Sequence, residues 1–126
     1  MNQQLLKELS QHETDIEEAI NRFSGNKDLY QICLMDFVQD TTMLTFENAV
    51  KRDAWDEAFT AVHALKGLAG NMGFIPLFHT SAKIVILLRE GRLHELPEAH
   101  TQLKQEYDEI VSVINRHFPV ENGGQE

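Results

Sequence analysis

One short stretch of the chain, AVHALKGLAGNMG at residues 61–73, holds residue types that could do chemistry. It places a lysine three residues after a histidine, and it carries three glycines in a pattern otherwise typical of a helix. Histidine is the side chain most readily used as a nucleophile or proton carrier near neutral pH. Lysine suits a transferring phosphoryl group, because its ammonium is a point charge beside developing negative oxygens. The pair His63 and Lys66 is therefore a candidate reactive site.

Helical geometry predicts how these side chains are arranged. At about 100° per residue, His63 and Gly67 lie one turn apart on the flank of an apolar stripe, and Lys66 lies beside them. A glycine inside a helix costs about 0.8–1.0 kcal/mol relative to alanine. Gly67 also removes a side chain next to the imidazole. The pattern predicts a partly exposed histidine that something bulky can approach.

The distribution of charge supports a functional surface here. Residues 58–89 contain no acidic side chain, although about five would be expected in proportion for a chain with 20 carboxylates. The same window keeps five basic or titratable side chains: His63, Lys66, His79, Lys83 and Arg89. Burial alone does not explain a window that keeps its bases and loses its acids. The pattern favours a surface that meets an anion or an acidic partner.

Helical spacing runs through the chain, and no period-two alternation is long enough to predict a strand. It predicts helices over about 2–11, 15–23, 27–50, 54–71, from the first turn at Pro76 to about 90, and 95–117. Thr14 with Glu17, Asn26 and Asp53 are the predicted N-caps, and Gly73 the predicted left-handed helix end.

Three of these helices carry apolar stripes at steps of three or four residues. The stripes are Tyr30, Cys33, Leu34, Phe37, Thr41 and Leu44; Trp55, Ala58, Phe59, Val62, Leu65 and Ala69; and Leu96, Ala99, Leu103, Tyr107, Ile110 and Ile114. Four long helices with short loops predict an all-α, up-down-up-down four-helix bundle. Two shorter N-terminal helices would cover one end. We expect one domain over residues 1–118 and a loose C-terminal tail over 119–126.

Bulk composition narrows the function classes. The 126 residues fit one domain, and a net charge of −9 disfavours a nucleic-acid partner. No apolar run approaches the roughly 18 residues of a membrane span. Cys33 is the single cysteine, so no internal disulfide can form, which is typical of a reducing cytoplasmic setting. The N-terminus lacks the pattern of a signal peptide, and the Met1 start with a polar tail favours a complete small protein.

The run HALKGLAGNMG resembles the His-x-x-Lys-Gly core of histidine-containing phosphotransfer (HPt) domains of two-component phosphorelays. Residues 15–40 resemble the N-terminal half of that family, and residues 51–67 resemble its helix leading into the site. With the last amphipathic helix, the resemblance covers nearly the whole chain.

The resemblance implies that His63 accepts a phosphoryl group from an aspartyl phosphate on a receiver domain, or from a partner kinase, and passes it to another receiver. Lys66 would help neutralise the phosphate, and Gly67 would leave room for the partner's loops. The receiver would bring the magnesium ion, so this chain would need no cofactor or metal. We expect a monomeric carrier rather than an enzyme. The candidate docking rim is Phe59, Ala64, Leu68, Gly70 and Asn71.

Two positions depart from the family pattern. The residue after the glycine of the motif, often small or hydroxylated in the family, is Leu68. Twenty-two residues after the histidine, where the family commonly has Glu or Gln able to hydrogen-bond the imidazole, this chain has Val85. The sequence leaves open what orients the imidazole.

Three other interpretations remain at this stage. The chain resembles the phosphoacceptor segment of chemotaxis-type kinases, although it has no glycine-rich phosphate loop for ATP. A non-phosphorylated helical adaptor could dock partners through Leu68, Met72 and Phe74. A metal site is disfavoured, because no histidine pair has i, i+4 spacing and Cys33 stands alone. His94, His100 and His117 are predicted to lie on the surface.

Overall fold

Seven α-helices account for most of residues 2–118, the part of the chain that this computed structural model describes. They are α1 (Gln3–Gln11), α2 (Ile16–Arg22), α3 (Lys27–Gln39), α4 (Thr42–Lys51), α5 (Trp55–Met72), α6 (Ile75–Arg89) and α7 (Leu96–His117), with a short 3-10 helix (Leu93–Glu95) before α7. Among the described residues the only β-type pairing is one bridge between Thr14 and Phe74. The predicted all-α class is confirmed. The predicted loose tail over 119–126 lies outside the described residues.

The helices form the predicted up-down-up-down bundle. α5 packs against α4 on one side and α6 on the other, and α6 packs against α7. α3 precedes α4 along the chain and contacts both α5 and α7, so α3 and α4 together make up the remaining member of the bundle. α1 packs on α7, and α2 on α5. The stripes predicted for α5 and α7 face the core, with Trp55, Phe59 and Tyr107 half-buried at its edge.

The helix predicted over 27–50 is interrupted, which corrects two core assignments. Asp40 has extended backbone angles, φ −69° and ψ 139°, and its carboxylate accepts a hydrogen bond of 2.8 Å from the Thr42 backbone N–H. An aspartate side chain competes with the helical backbone in this way. The break changes the phase of α4: Thr41 is exposed, as is Leu44 at 56%, and Met43 and its i+3 and i+6 neighbours are buried instead.

Two of the predicted N-caps are wrong. Asp15, rather than Thr14, caps α2, and its carboxylate accepts from the Glu18 N–H at 3.1 Å. Thr14 is used in the bridge to Phe74 instead. Ala54 occupies the N-cap of α5 without a side-chain bond, because Asp53 is in a left-handed turn at φ 55°. The Asn26 cap of α3 is confirmed by a 3.0 Å bond from the Leu29 N–H.

Gly73 ends α5 in the left-handed conformation, as predicted, with φ 79°. Its carbonyl also accepts a hydrogen bond of 2.8 Å from the Asp15 N–H, which brings the start of α2 against the end of α5. A Cβ at position 73 would lie 2.6 Å from the Asp15 carbonyl oxygen. Glycine is therefore required both by the backbone angle and by the close approach of α2.

Two histidines predicted for the surface instead join helices. The His100 side chain, 23% exposed, lies edge-on to Phe46 and 3.5 Å from Glu47, both on α4. His117, 13% exposed, has its Nε2 2.6 Å from the Glu8 carboxylate on α1. Hydrogen bonds from Arg116 and His117 hold the pKa of Glu8 below its usual value. His94 is on the surface, 82% exposed.

Candidate functional site

His63 lies on a solvent-exposed strip of α5. The exposed residues of this strip recur at steps of three or four, which keeps them on one face of a helix. They are Thr60, His63, Ala64, Gly67 and Asn71. The opposite face of α5 carries the buried stripe that anchors the helix between α4 and α6. The helix packed between α4 and α6 therefore presents the imidazole to solvent.

The surface next to His63 is open at Gly67. A Cβ built at this position would meet no atom within 4 Å. Gly67 has ordinary helical geometry, since the positive φ angles of described glycines occur at positions 25, 73 and 91. No internal contact or backbone angle therefore requires a glycine here, although it weakens the helix by about 0.8–1.0 kcal/mol relative to alanine.

Lys66 extends toward α6 on the same side of α5. Its Nζ lies 5.9 Å from the centroid of the Phe78 ring, within the range of a cation–π contact. The side chain is half-buried, and no ion pair to Lys66 is found among residues 2–118. The Lys66 ammonium therefore lies against Phe78 of α6, and no carboxylate of the described chain neutralises its charge.

Gly70, one turn further on, has a different reason to be glycine. A Cβ there would lie 3.2 Å from Phe78 Cδ1 and 3.3 Å from Cε1. The Gly70 carbonyl also accepts a hydrogen bond from the Arg22 guanidinium on α2. Close packing between α5 and α6 therefore accounts for Gly70, whose role the sequence left open.

The other rim residues predicted from sequence surround His63 on two sides of α5. Ala64 is exposed and lines a groove between α4 and α5 with Thr41, Thr45 and Thr60. Leu68 and Asn71 line a second groove, between α3 and α5, to which Cys33 and Asp36 also contribute. Phe59 is half-buried one turn before His63.

No hydrogen bond from the described residues reaches the His63 ring. Val85, at the position where the resemblance would place a polar partner, is 3% exposed and belongs to the core. The ring instead contacts Phe59: the two centroids are 6.0 Å apart and the ring planes differ by 26°. Arg89 of α6 lies over the same phenyl ring, with its Cζ 5.7 Å from the centroid. The i, i+4 spacing of Phe59 and His63 could have indicated this contact, whereas the Arg89 contact depends on how α6 packs.

Residues 58–89, which contain no acidic side chain, form most of α5 and all of α6. His79, Lys83 and Arg89 are exposed on α6. The carboxylates of α5 are confined to its first turn, at Asp56 and Glu57, and Glu57 is paired with Arg52 at 2.9 Å. The surface between α5 and α6 is therefore more basic than the protein as a whole.

No three His, Cys, Asp or Glu side chains within residues 2–118 come together as a set that could hold a metal ion. Within the same residues no helix is both long and apolar enough to cross a membrane.

Comparison with known families identifies the class of protein. The family model described as Hpt domain matches residues 1–113. The chain therefore belongs to the Hpt domain family, whose members are phosphocarrier modules of two-component systems, and the resemblance drawn from the sequence is confirmed. Searches of curated proteins and of solved structures returned no significant match.

Proposed function

We propose that this chain is a phosphorelay intermediate in which His63 is the phosphoacceptor. It takes a phosphoryl group from the aspartyl phosphate of a receiver domain, or from a partner kinase, and passes it to another receiver. The observation that supports the proposal most strongly is the open surface at Gly67, next to His63. A glycine within the helix costs stability, yet a Cβ there would touch nothing in the described chain, and it opens the surface beside an exposed imidazole.

The chemistry needs an unprotonated ring nitrogen of His63. Its lone pair attacks the phosphorus of the donor acyl phosphate, and the N–P bond forms as the P–O bond to the aspartate breaks. The aspartate carboxylate leaves with the electron pair, and the other ring nitrogen of His63 keeps its proton. In the second transfer a carboxylate oxygen of the next receiver attacks, and the imidazole leaves with the electron pair of the N–P bond.

Lys66 supports both steps electrostatically. Negative charge on the phosphoryl oxygens must be balanced in the transition state, and a preorganised ammonium beside the imidazole does so. The Lys66 ammonium rests over the Phe78 ring of α6. Because no ion pair among the described residues fixes it there, it would be available to turn toward a phosphoryl group on His63. The receiver would supply the magnesium ion, so this chain would hold no metal of its own.

The partner docks over the exposed strip of α5, with Phe59, Ala64, Leu68 and Asn71 as its rim. Gly70 contributes to this rim indirectly, because its lack of a side chain lets the Phe78 ring pack close to α5. The acidic pocket of a receiver is complementary to the basic surface between α5 and α6. We place the chain in the cytoplasm as a monomeric carrier, with the phosphoryl donor always on another protein.

The test is to mix the purified chain with a panel of phosphorylated receiver domains. We expect an acid-labile, base-stable phosphate that maps to His63, as an N–P bond requires. His63→Gln should abolish labelling. The matched control is His94→Gln, an exposed histidine away from the site, which should label like the unaltered chain.

Phosphate on another residue would contradict the proposal, as would no labelling from any donor. An adaptor would be indicated if His63→Gln kept the signalling output of the pathway.

A further inference from the structure

The His63 ring has an aromatic neighbour one turn earlier on α5. The 6.0 Å centroid distance and 26° interplanar angle to Phe59 are those of an offset-stacked pair, for which distances of about 4.5–7 Å are preferred. Helical side chains lean toward the N-terminal turn, which carries residue 63 over residue 59. Because both ring nitrogens lie at the imidazole edge, a contact on the ring face leaves them free to react.

Phe59 is itself held in place from a second helix. The Arg89 guanidinium of α6 lies over its ring with Cζ 5.7 Å from the centroid, and the phenyl group is half-buried at the edge of the core. A cation over a ring face is attracted to it. Phe59 is therefore restrained by both α5 and α6, and it is a firmer support for the imidazole than a free surface ring would be.

No other side chain among the described residues is placed to fix the orientation of the imidazole. No hydrogen bond reaches the ring from residues 2–118, and Val85 is apolar and buried. Lys66 lies over Phe78 instead. An exposed histidine without a partner would sample several staggered rotamers, and each rotamer would direct its nitrogens differently.

We propose that Phe59 is the positioning residue of His63. It sets the orientation of the imidazole by stacking, where a hydrogen bond would otherwise do so. This inference rests on the proposed phosphoacceptor role of His63 and names how that residue is held. A macromolecular donor meets His63 in one docked geometry, so its transfer rate depends on ring orientation. A small phosphodonor approaches from any direction and is insensitive to it.

The stack can be measured without any phosphoryl donor. Because the imidazole lies on the face of the Phe59 ring, the NMR signals of the His63 ring protons should be shifted upfield. Phe59→Leu keeps an apolar side chain but removes the ring, so these signals should return toward free-imidazole positions. Phe59→Tyr should keep the upfield shift. Phe118→Leu, the same substitution at another half-buried phenylalanine at the end of α7, should leave the His63 signals unchanged.

The kinetic arm separates positioning from reactivity. It uses the receiver that labels the unaltered chain fastest, and phosphoramidate as the small donor. At saturating receiver, Phe59→Leu should slow labelling roughly two- to tenfold, which corresponds to about 0.4–1.4 kcal/mol. The KM for the receiver should stay unchanged, because loss of a docking contact would instead raise it. Labelling by phosphoramidate should be unchanged. Phe59→Tyr should restore the receiver-driven rate, and Phe118→Leu should match the unaltered chain.

Two results would overturn the inference. Identical His63 ring signals in the unaltered chain and Phe59→Leu would show that the stack does not exist in solution. An unchanged receiver-driven rate despite shifted signals would show that the stack does not position the ring for transfer. If the unaltered chain accepts no phosphoryl group from either donor, the proposed function fails, and the ring signals alone then decide whether Phe59 orients the imidazole.

Discussion

Gly67 is the residue at which stability and function separate most clearly. Its glycine identity has no internal explanation, because a Cβ would meet nothing within 4 Å and the helical geometry is ordinary. Gly70, only three residues away, is explained by its contact with Phe78. Glycine therefore has a packing reason at position 70 and none within the described chain at position 67, where we propose clearance for a partner.

Substitutions at Gly67 should therefore stabilise the fold while impairing transfer. Gly67→Ala should raise the free energy of unfolding by about 0.5–1 kcal/mol, because alanine favours the helix and has room. Gly67→Glu should fold but block transfer by bulk and by repulsion of the phosphate. Urea unfolding and receiver-driven labelling give the two readouts.

Gly67→Gln is the matched control for charge, since it keeps the bulk of glutamate. Partial recovery of labelling in Gly67→Gln would measure the repulsive part of the Gly67→Glu effect. Normal labelling of Gly67→Glu would show that the open surface is not where a partner approaches.

At the scale of the elements, the C-terminal end of α5 is bound by hydrogen bonds from two other helices, α2 and α3. Gly73 terminates α5, and its carbonyl accepts the Asp15 N–H at the start of α2. The Tyr30 hydroxyl of α3 donates to the neighbouring Met72 carbonyl at 2.8 Å. The last carbonyls of α5 are thus bound by α2 and α3. These bonds fix the position of the helix that carries His63.

Gly73→Ala should destabilise the protein by about 1–3 kcal/mol, from the left-handed backbone and the 2.6 Å approach of its Cβ to the Asp15 oxygen. Gly91→Ala is the matched control, because Gly91 also has a positive φ, 69°, but a Cβ there meets nothing within 4 Å. Thermal unfolding should give a larger loss for Gly73→Ala. Equal losses would mean that the approach of α2 adds nothing.

For the whole molecule, the distribution of charge is more informative than its sum. The chain carries a net charge of −9, yet the α5–α6 pair has no acid over residues 58–89. The exposed bases of α6 are His79, Lys83 and Arg89, and Arg89 lies over the Phe59 ring that stacks on His63. An acidic receiver would be repelled by most of this protein and attracted to one face, which favours productive encounters.

Reversing a charge on that face should weaken association with the partner. Lys83→Glu should raise the KM for a phosphorylated receiver roughly three- to tenfold at low ionic strength and by less at about 1 M salt, where screening is strong. Lys7→Glu, an exposed lysine on α1, is the control with the same change in net charge. Equal KM values for the two variants would place the docking surface elsewhere.

Much of the architecture was predictable from sequence, because an amphipathic helix has apolar residues at steps of three or four positions. The stripes of α5 and α7 and the Asn26 cap follow from residues close in sequence, and all three are found. The long helix over 27–50 was wrong at Asp40, because a side-chain bond to the Thr42 N–H outweighed the continuing apolar pattern. His100 and His117 were misassigned to the surface because their partners, on α4 and α1, are distant in sequence.

The sequence by itself determined the helical class, the family and the exposed flank on which His63, Lys66 and Gly67 lie, because each depends on spacing within one or two helical turns. Only the tertiary structure decided which glycine is open and which is packed, that Val85 is buried in the core, and that Arg89 of α6 lies over the Phe59 ring. Those outcomes depend on where α6 and α2 lie against α5. Such contacts join residues far apart in sequence, so no local pattern records them.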